Sequence, residues 1–227
     1  MSELNTDEVN IITVEDPVEA NVNGINQVQV NVKADLTFAS ALRSILRQDP
    51  DIIMIGEIRD TETAEIAVKA SITGHLVIST LHTNSTASSI TRLLDMGIEP
   101  YLIGDSVVGI IAQRLVRKLC PKCRRQKSAT AEEKRALRVP EDQECIIYEP
   151  VGCRECSKGY KGRIGVYEIM PISHKIAGMI SRGANADEIE QQAITEGMTT
   201  LRRGAAEYVL QGITTISEMR KVAYEEE

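Results

Sequence analysis

The sequence predicts an α/β protein built on a doubly wound parallel sheet, followed by a cysteine-bearing module and a helical C-terminal region. Three observations predict it. Short apolar runs and amphipathic helical stretches alternate from Ile11 to Met96, the ends of those apolar runs carry unusual polar residues, and two Cys-x-x-Cys pairs mark a segment of different composition.

The elements follow in chain order. Ile11 to Val14 is short, β-branched and continuous, as suits a strand buried on both faces of a parallel sheet. Gln27 to Val32 alternates polar and apolar, which predicts a half-exposed strand. Thr37 is placed to cap a helix over Phe38 to Gln48, closed off by Pro50. Asp51 to Ile55 reads as a second buried strand. Helix Thr61 to Ser71, strand Leu76 to Leu81 and helix Ser85 to Met96 follow, the last stopped by Gly97. After the cysteine-bearing segment a strand is predicted from Ile164 to Met170. Four amphipathic helices come next: Lys175 to Ile180, Ala186 to Glu196, Leu201 to Leu210 and Ile216 to Ala223.

Composition narrows the function classes. In 227 residues, 42% are hydrophobic and 26% charged, a globular balance that excludes disorder over most of the length. Aromatics are 3%, with no Trp and only Phe38 of its kind, so a base-stacking surface for single-stranded nucleic acid is not expected. The net charge of −7 weighs against a broad phosphate-backbone binder. No apolar run approaches the roughly 20 residues of a spanning helix, so no transmembrane segment is expected. The start, MSELNTDEVN, lacks the basic and apolar regions of a signal peptide. The expected compartment is therefore cytosolic and thiol-reducing, where cysteines are metal ligands or free thiols before they are disulfides.

Cys120-Pro-Lys-Cys123 and Cys153-Arg-Glu-Cys156 are the strongest chemical signal. Two such turns supply four soft ligands for tetrahedral Zn²⁺, and a closed four-thiolate site is structural because no coordination position is open. The 29 intervening residues require the loop to fold back; unrelated free cysteines or a redox pair are the alternatives. Cys145 is left over as a plain thiol. Around the first pair, Arg114, Arg117, Lys118, Lys122, Arg124, Arg125 and Lys127 form a basic cluster, read either as neutralising the zinc thiolates or as a docking surface for an acidic partner.

The second signal lies at the carboxyl ends of the predicted strands, where α/β domains place their ligand sites. These ends carry Glu15 and Asp16, Gly56 and Glu57, then His82 and Thr83. A buried strand ending in a carboxylate is how phosphate-handling enzymes deliver a general base or a partner for metal-bound water.

Together these residues resemble the type II secretion and type IV pilus assembly ATPases (GspE/PilB-like). Val14-Glu-Asp-Pro-Val-Glu19 is similar to the family's acidic box, Arg47 to Arg59 to its Walker B segment, and Thr73 to Asn84 to its histidine box. The cysteine pairs and Gly159-Tyr-Lys-Gly-Arg-Ile-Gly165 match the assembly and secretion branch, since retraction ATPases lack the cysteine module. The resemblance implies a truncated RecA-like core over residues 1–119, a four-cysteine zinc module over 120–156 and a C-terminal strand and helical region over 157–227. It implies ATP and Mg²⁺ as cofactors, beside structural Zn²⁺ held by Cys120, Cys123, Cys153 and Cys156. Glu57 is the implied catalytic carboxylate, Glu15 a second carboxylate ordering water or Mg²⁺, and His82 a γ-phosphate sensor. Arg43 and Arg59 are the implied stabilisers of transition-state charge. Gly56 stands where many Walker B segments carry Asp, a substitution characteristic of the family.

One departure stands out. The family's G-x-x-x-x-G-K-[ST] phosphate loop should precede the acidic box, and these 227 residues contain no such sequence. Met1 to Asn5 resembles the end of the helix that follows that loop, so the chain resembles a member truncated inside its ATPase domain. In such sheets the strand leading into the loop lies beside the histidine-box strand. The resemblance implies a cytoplasmic homo-hexamer, peripheral to the inner membrane. It moves pilin or pseudopilin subunits through an inner-membrane platform protein, without nucleic acid. Truncation implies inactivity alone; the alternative is a non-catalytic, zinc-stabilised interaction fragment.

Overall fold

The computed structural model describes residues 1–223. Its chain divides into two compact units. The first comprises residues 1–83, 87–108 and 172–189; the second holds 84–86, 109–171 and the residues from Glu190 onward.

In the first unit, β1 (Ile11–Glu15), β2 (Asn26–Gln29), β3 (Ile52–Ile55) and β4 (Leu76–Ser79) form a sheet in the order β2-β1-β3-β4. All three pairings are parallel. The continuous apolar runs are the central strands: Ile11, Val14, Ile53 and Ile55 are fully buried, as the β-branched pattern predicts. The second predicted strand ends early, because Val32–Ala34 turn into a short 3-10 helix and Asp35 adopts a positive φ of 56°.

Between the strands run α1 (Phe38–Ile45) and α2 (Thr61–Ile72), and α3 (Thr86–Asp95) and α4 (Pro100–Ser106) follow β4. Thr37 caps α1 by accepting from the Ser40 amide, and Ser40 returns the bond to the Thr37 amide. Asp60 caps α2 through the Thr63 amide. The helix α6 (His174–Ser181) packs on α4 through Gly104, where an added Cβ would lie 2.8 Å from the Ala177 carbonyl oxygen. Only glycine lets the two backbones approach so closely.

The second unit is organised by two long antiparallel strands, β5 (Gly109–Leu119) and β8 (Tyr160–Pro171). Ala112, Val116 and Val166 pack with Leu201, Ala205 and Val209 of α8 (Leu201–Leu210) and with Met219 of α9 (Ile216–Ala223). Between them the chain adds the hairpin β6 (Arg125–Ser128) and β7 (Ile146–Glu149), with α5 (Ala131–Ala136) in its loop. Helix α7 (Ala186–Thr195) runs from the first unit into the second.

A buried carboxylate ties α9 to β5. Glu218 accepts from the Arg117 amide at 2.9 Å, from the Arg117 guanidinium at 2.9 Å and from Lys221 Nζ at 2.6 Å. Burial pushes the Glu218 carboxyl up, but the bonds from Arg117 and Lys221 outweigh it and hold it at about 2. A depressed folded-state pKa contributes stability that is present above the unfolded value and lost as pH falls toward the folded one. Between about pH 4.5 and about pH 2 the chain should therefore lose on the order of 3 kcal/mol from this group alone. Urea unfolding checks it: the stability gap between the wild type and Glu218→Gln should shrink across that window. A gap that is constant with pH would show the assignment wrong.

Candidate functional site

Parallel register brings the three polar strand ends to one edge. Val14 pairs with Ile55 and Ile55 with Ser79, so Glu15 ends β1 where Glu57 and His82 follow the ends of β3 and β4. The backbone there is tightly drawn. The Gly56 amide donates to the Val14 carbonyl at 2.7 Å, the Ile58 amide to the Thr80 carbonyl at 3.0 Å, and the Thr80 hydroxyl to the Gly56 carbonyl at 2.7 Å. A Cβ at Gly56 would meet the Val14 oxygen at 3.2 Å and Glu15 Cα at 3.4 Å. Glycine at this position thus has a steric reason in this chain.

Glu57 is gripped by two partners. His82 Nε2 lies 3.0 Å and Arg59 Nε 2.5 Å from the same carboxylate oxygen. Burial pushes the Glu57 carboxyl up, but the bonds from His82 and Arg59 outweigh it and leave it below the usual carboxylate range. The group is therefore an anion at neutral pH, suited to accepting hydrogen bonds or orienting water. Glu15 is held separately: the Thr13 hydroxyl donates to it at 2.6 Å and Gln27 Nε2 at 2.9 Å. Arg43 is directed elsewhere, into an exposed ion pair with Glu62 across α1 and α2. Glu57, Arg59 and His82 thus meet in direct contact, Glu15 stands on the adjoining strand end, and Arg43 is engaged on a helix surface. The orienting groups Thr13, Gln27 and Thr80 were not singled out in the sequence; alternation along β1 places Thr13 on the same side as Glu15 and is the signal for it.

The four cysteines of the paired motifs converge, with all sulfurs within 4.8 Å of one another. Cys120 Sγ lies 3.9 Å from Cys153 Sγ, Cys123 Sγ 3.7 Å from Cys156 Sγ, and Cys153 Sγ 3.6 Å from Cys156 Sγ. A tetrahedron with Zn–S bonds of about 2.3 Å has edges of about 3.8 Å, so these donors fit that ion. Backbone amides orient two of them, Gly152 to Cys123 at 3.3 Å and Cys153 to Cys156 at 3.2 Å. Burial pushes the Cys123 thiol up to about 11; at Cys156 burial is outweighed by the Cys153 amide and the neighbouring thiols, which bring it to about 7. Cys145 lies apart, buried in the core of the second unit.

The basic cluster beside the first pair is matched locally. Lys122 pairs with Glu155, Arg125 with Glu149, Lys127 with Glu133 and Arg117 with Glu218. Arg124 stacks over Tyr148 and donates to the Gly212 carbonyl. Arg125 and Lys127 thus brace the hairpin and Arg117 ties β5 to α9; of the paired acids only Glu133, six residues from Lys127, is a near neighbour in sequence.

The fold is RecA-like. A solved structure of the pilus retraction motor PilT with bound ADP superposes with a TM-score of 0.66 at 28% identity, over 94% of this chain and 52% of that one. The ATPase DotB of Legionella pneumophila gives the same TM-score of 0.66 at 20% identity, over 99% and 53%. The chain belongs to the type II/IV secretion system protein family, whose model matches residues 1–221. It is 53% identical over 228 residues to the type IV pilus assembly ATPase PilB of Acinetobacter baylyi, covering 98% of this chain and 39% of that protein. It is 47% identical over 226 residues to the type II secretion system ATPase E of Vibrio cholerae, covering 99% and 45%. The chain thus spans less than half the length of these relatives. No helix among the described residues is long and apolar enough to cross a membrane.

Proposed function

We propose that this chain is the C-terminal part of a motor ATPase that couples ATP hydrolysis to the assembly of pilin or pseudopilin subunits. The observation that carries the reading is the contact of His82 and Arg59 with one oxygen of Glu57 at the carboxyl edge of a parallel sheet. Glu57 is the catalytic carboxylate, orienting the attacking water as an anion. His82, bonded to it, senses the γ-phosphate position. Glu15, fixed by Thr13 and Gln27, orders water or Mg²⁺, and Arg59 steadies developing negative charge. Arg43 joins them only if its pair with Glu62 opens. When bound, Mg²⁺ neutralises phosphate charge, and Zn²⁺ on Cys120, Cys123, Cys153 and Cys156 closes the hairpin module. The working assembly is a cytoplasmic homo-hexamer on an inner-membrane platform protein.

Phosphoryl transfer depends on positioning and on neutralising charge, and the loop that cradles the β-phosphate is not within these residues. The chain by itself should therefore hydrolyse ATP at no more than background rates. Extended through the phosphate loop of a relative, it should turn over ATP with Mg²⁺, and Glu57→Gln should reduce that rate about a thousandfold or more. Magnesium-dependent turnover by the unextended chain, abolished by Glu57→Gln, would overturn the stated inactivity. An inactive extended chain that folds and binds ATP would overturn the motor reading and favour the zinc-stabilised interaction fragment.

A further inference from the structure

We infer that Glu168 is a positioning residue for the loop that carries His82, acting by clamping Thr86 at the downstream end of that loop. The inference rests on the proposed reading of His82 as a sensor and specifies what keeps it in place. The chain passes from His82 and Thr83 into Asn84–Thr86, a segment that belongs to the second unit, before α3 continues. Glu168 is 2% exposed and Thr86 0%. One Glu168 oxygen accepts from the Thr86 amide at 2.9 Å and from the Thr86 hydroxyl at 2.6 Å, while the other accepts from the Leu201 amide at 3.1 Å.

A buried carboxylate is an expensive way to fill this position. Its neighbours on the same face of β8 are Val166 and Met170, both buried, and an apolar side chain would suit that core without desolvating a charge. Among the described residues it forms no ion pair, so backbone and hydroxyl donors alone satisfy it. What the carboxylate adds is a grip on Thr86. A second grip lies beside it: the Arg114 guanidinium reaches Asn84 at 3.3 Å, and Arg114 and Glu168 occupy adjacent same-face positions of the β5–β8 ladder. The segment two to four residues beyond His82 is thus held by one cation and one anion on a rigid pair of strands. Loosening Thr86 should release the loop and take the imidazole off Glu57.

Three histidines, His75, His82 and His174, make the His82 ring resonances resolvable by NMR. In the wild type, Glu57→Gln should shift those resonances, because the two side chains touch. In Thr86→Val, which deletes the hydroxyl donor at nearly constant volume, the same Glu57→Gln change should shift them by less than about half as much. Amide exchange over residues 81–84 should rise about tenfold while β8 keeps its protection, and Thr86→Ser should restore both readouts. If Thr86→Val does not fold, Thr86→Ala carries the same expectations. Equal Glu57→Gln shifts in both backgrounds, or exchange rising alike in the loop and in β8, would overturn the positioning role. Neither readout involves nucleotide, so these failures are distinct from that of the sensor reading, which falls if His82→Ala leaves turnover of the extended chain unchanged.

Discussion

Cys153→Ser is expected to strip the metal from the chain and release residues 120–156 from protection while β5, β8 and α8 stay folded. Besides the metal site, the hairpin is held by Leu137, Cys145 and Ile147, which enter the core of the second unit. Its strands β6 and β7 are four residues each and α5 is six, lengths that are marginal without a larger core or a crosslink. Structural zinc supplies folding free energy directly, about 10–16 kcal/mol apparent in zinc-finger peptides. The four sulfurs sit at the separations a tetrahedral ion demands, and the second pair is the more exposed, with Cys153 at the surface. The loosening should stop short of the first pair's flank, because the Leu119 amide bonds the Ile213 carbonyl and Arg124 is anchored to Gly212. The wild type should carry one zinc per chain and the variant almost none by elemental analysis, with proteolysis of 120–156 accelerated at least about tenfold. Less than half a zinc per wild-type chain after mild purification would refute the site. Unchanged protease resistance in the variant would refute its structural role.

The legible parts of this fold were those governed by local rules. Continuous β-branched runs mark β1 and β3, Thr37 and Gly97 mark helix ends, and two short cysteine motifs mark the metal-fitting site. The long strand β5 carries no such local mark. Its apolar start, Ser106 to Ala112, straddles the end of α4 and the beginning of β5, and its basic second half looks like a surface cluster until Arg117 is seen against Glu218, a hundred residues away in sequence. The edge that gathers Glu15, Glu57 and His82 could be anticipated because parallel strands put their carboxyl ends together. Their actual contacts could not, because they depend on the loops after each strand. Glu168 is an intermediate case. The alternation Val166, Glu168, Met170 in β8 puts a carboxylate on the core-facing side, which a strand-periodicity reading can detect, although its partner Thr86 lies beyond reach of any local pattern.

The isolated chain should self-associate through β4. Among the described residues β4 is the outer strand of its sheet, bonded only to β3, and its Leu76 and Ile78 are 43% and 37% exposed. An edge of this kind offers unpaired amides and carbonyls next to apolar side chains, a ready template for another strand. In sheets such as the family resemblance implies, the strand leading into the phosphate loop would lie here. Ile78 pairs with Met54 in the register, and its partial exposure leaves room for a longer, charged side chain. Ile78→Lys is therefore a usable test, since a lysine on an edge strand opposes pairing without having to be buried. Sedimentation or light scattering should find concentration-dependent assemblies of the wild type, shifted toward monomer by Ile78→Lys. Adding a separate polypeptide with the strand and loop of a relative should suppress them as well, and should slow amide exchange across Leu76–Ser79. A wild-type chain that stays monomeric, with β4 amides already slow to exchange and unchanged by that polypeptide, would mean that the edge is not an association surface.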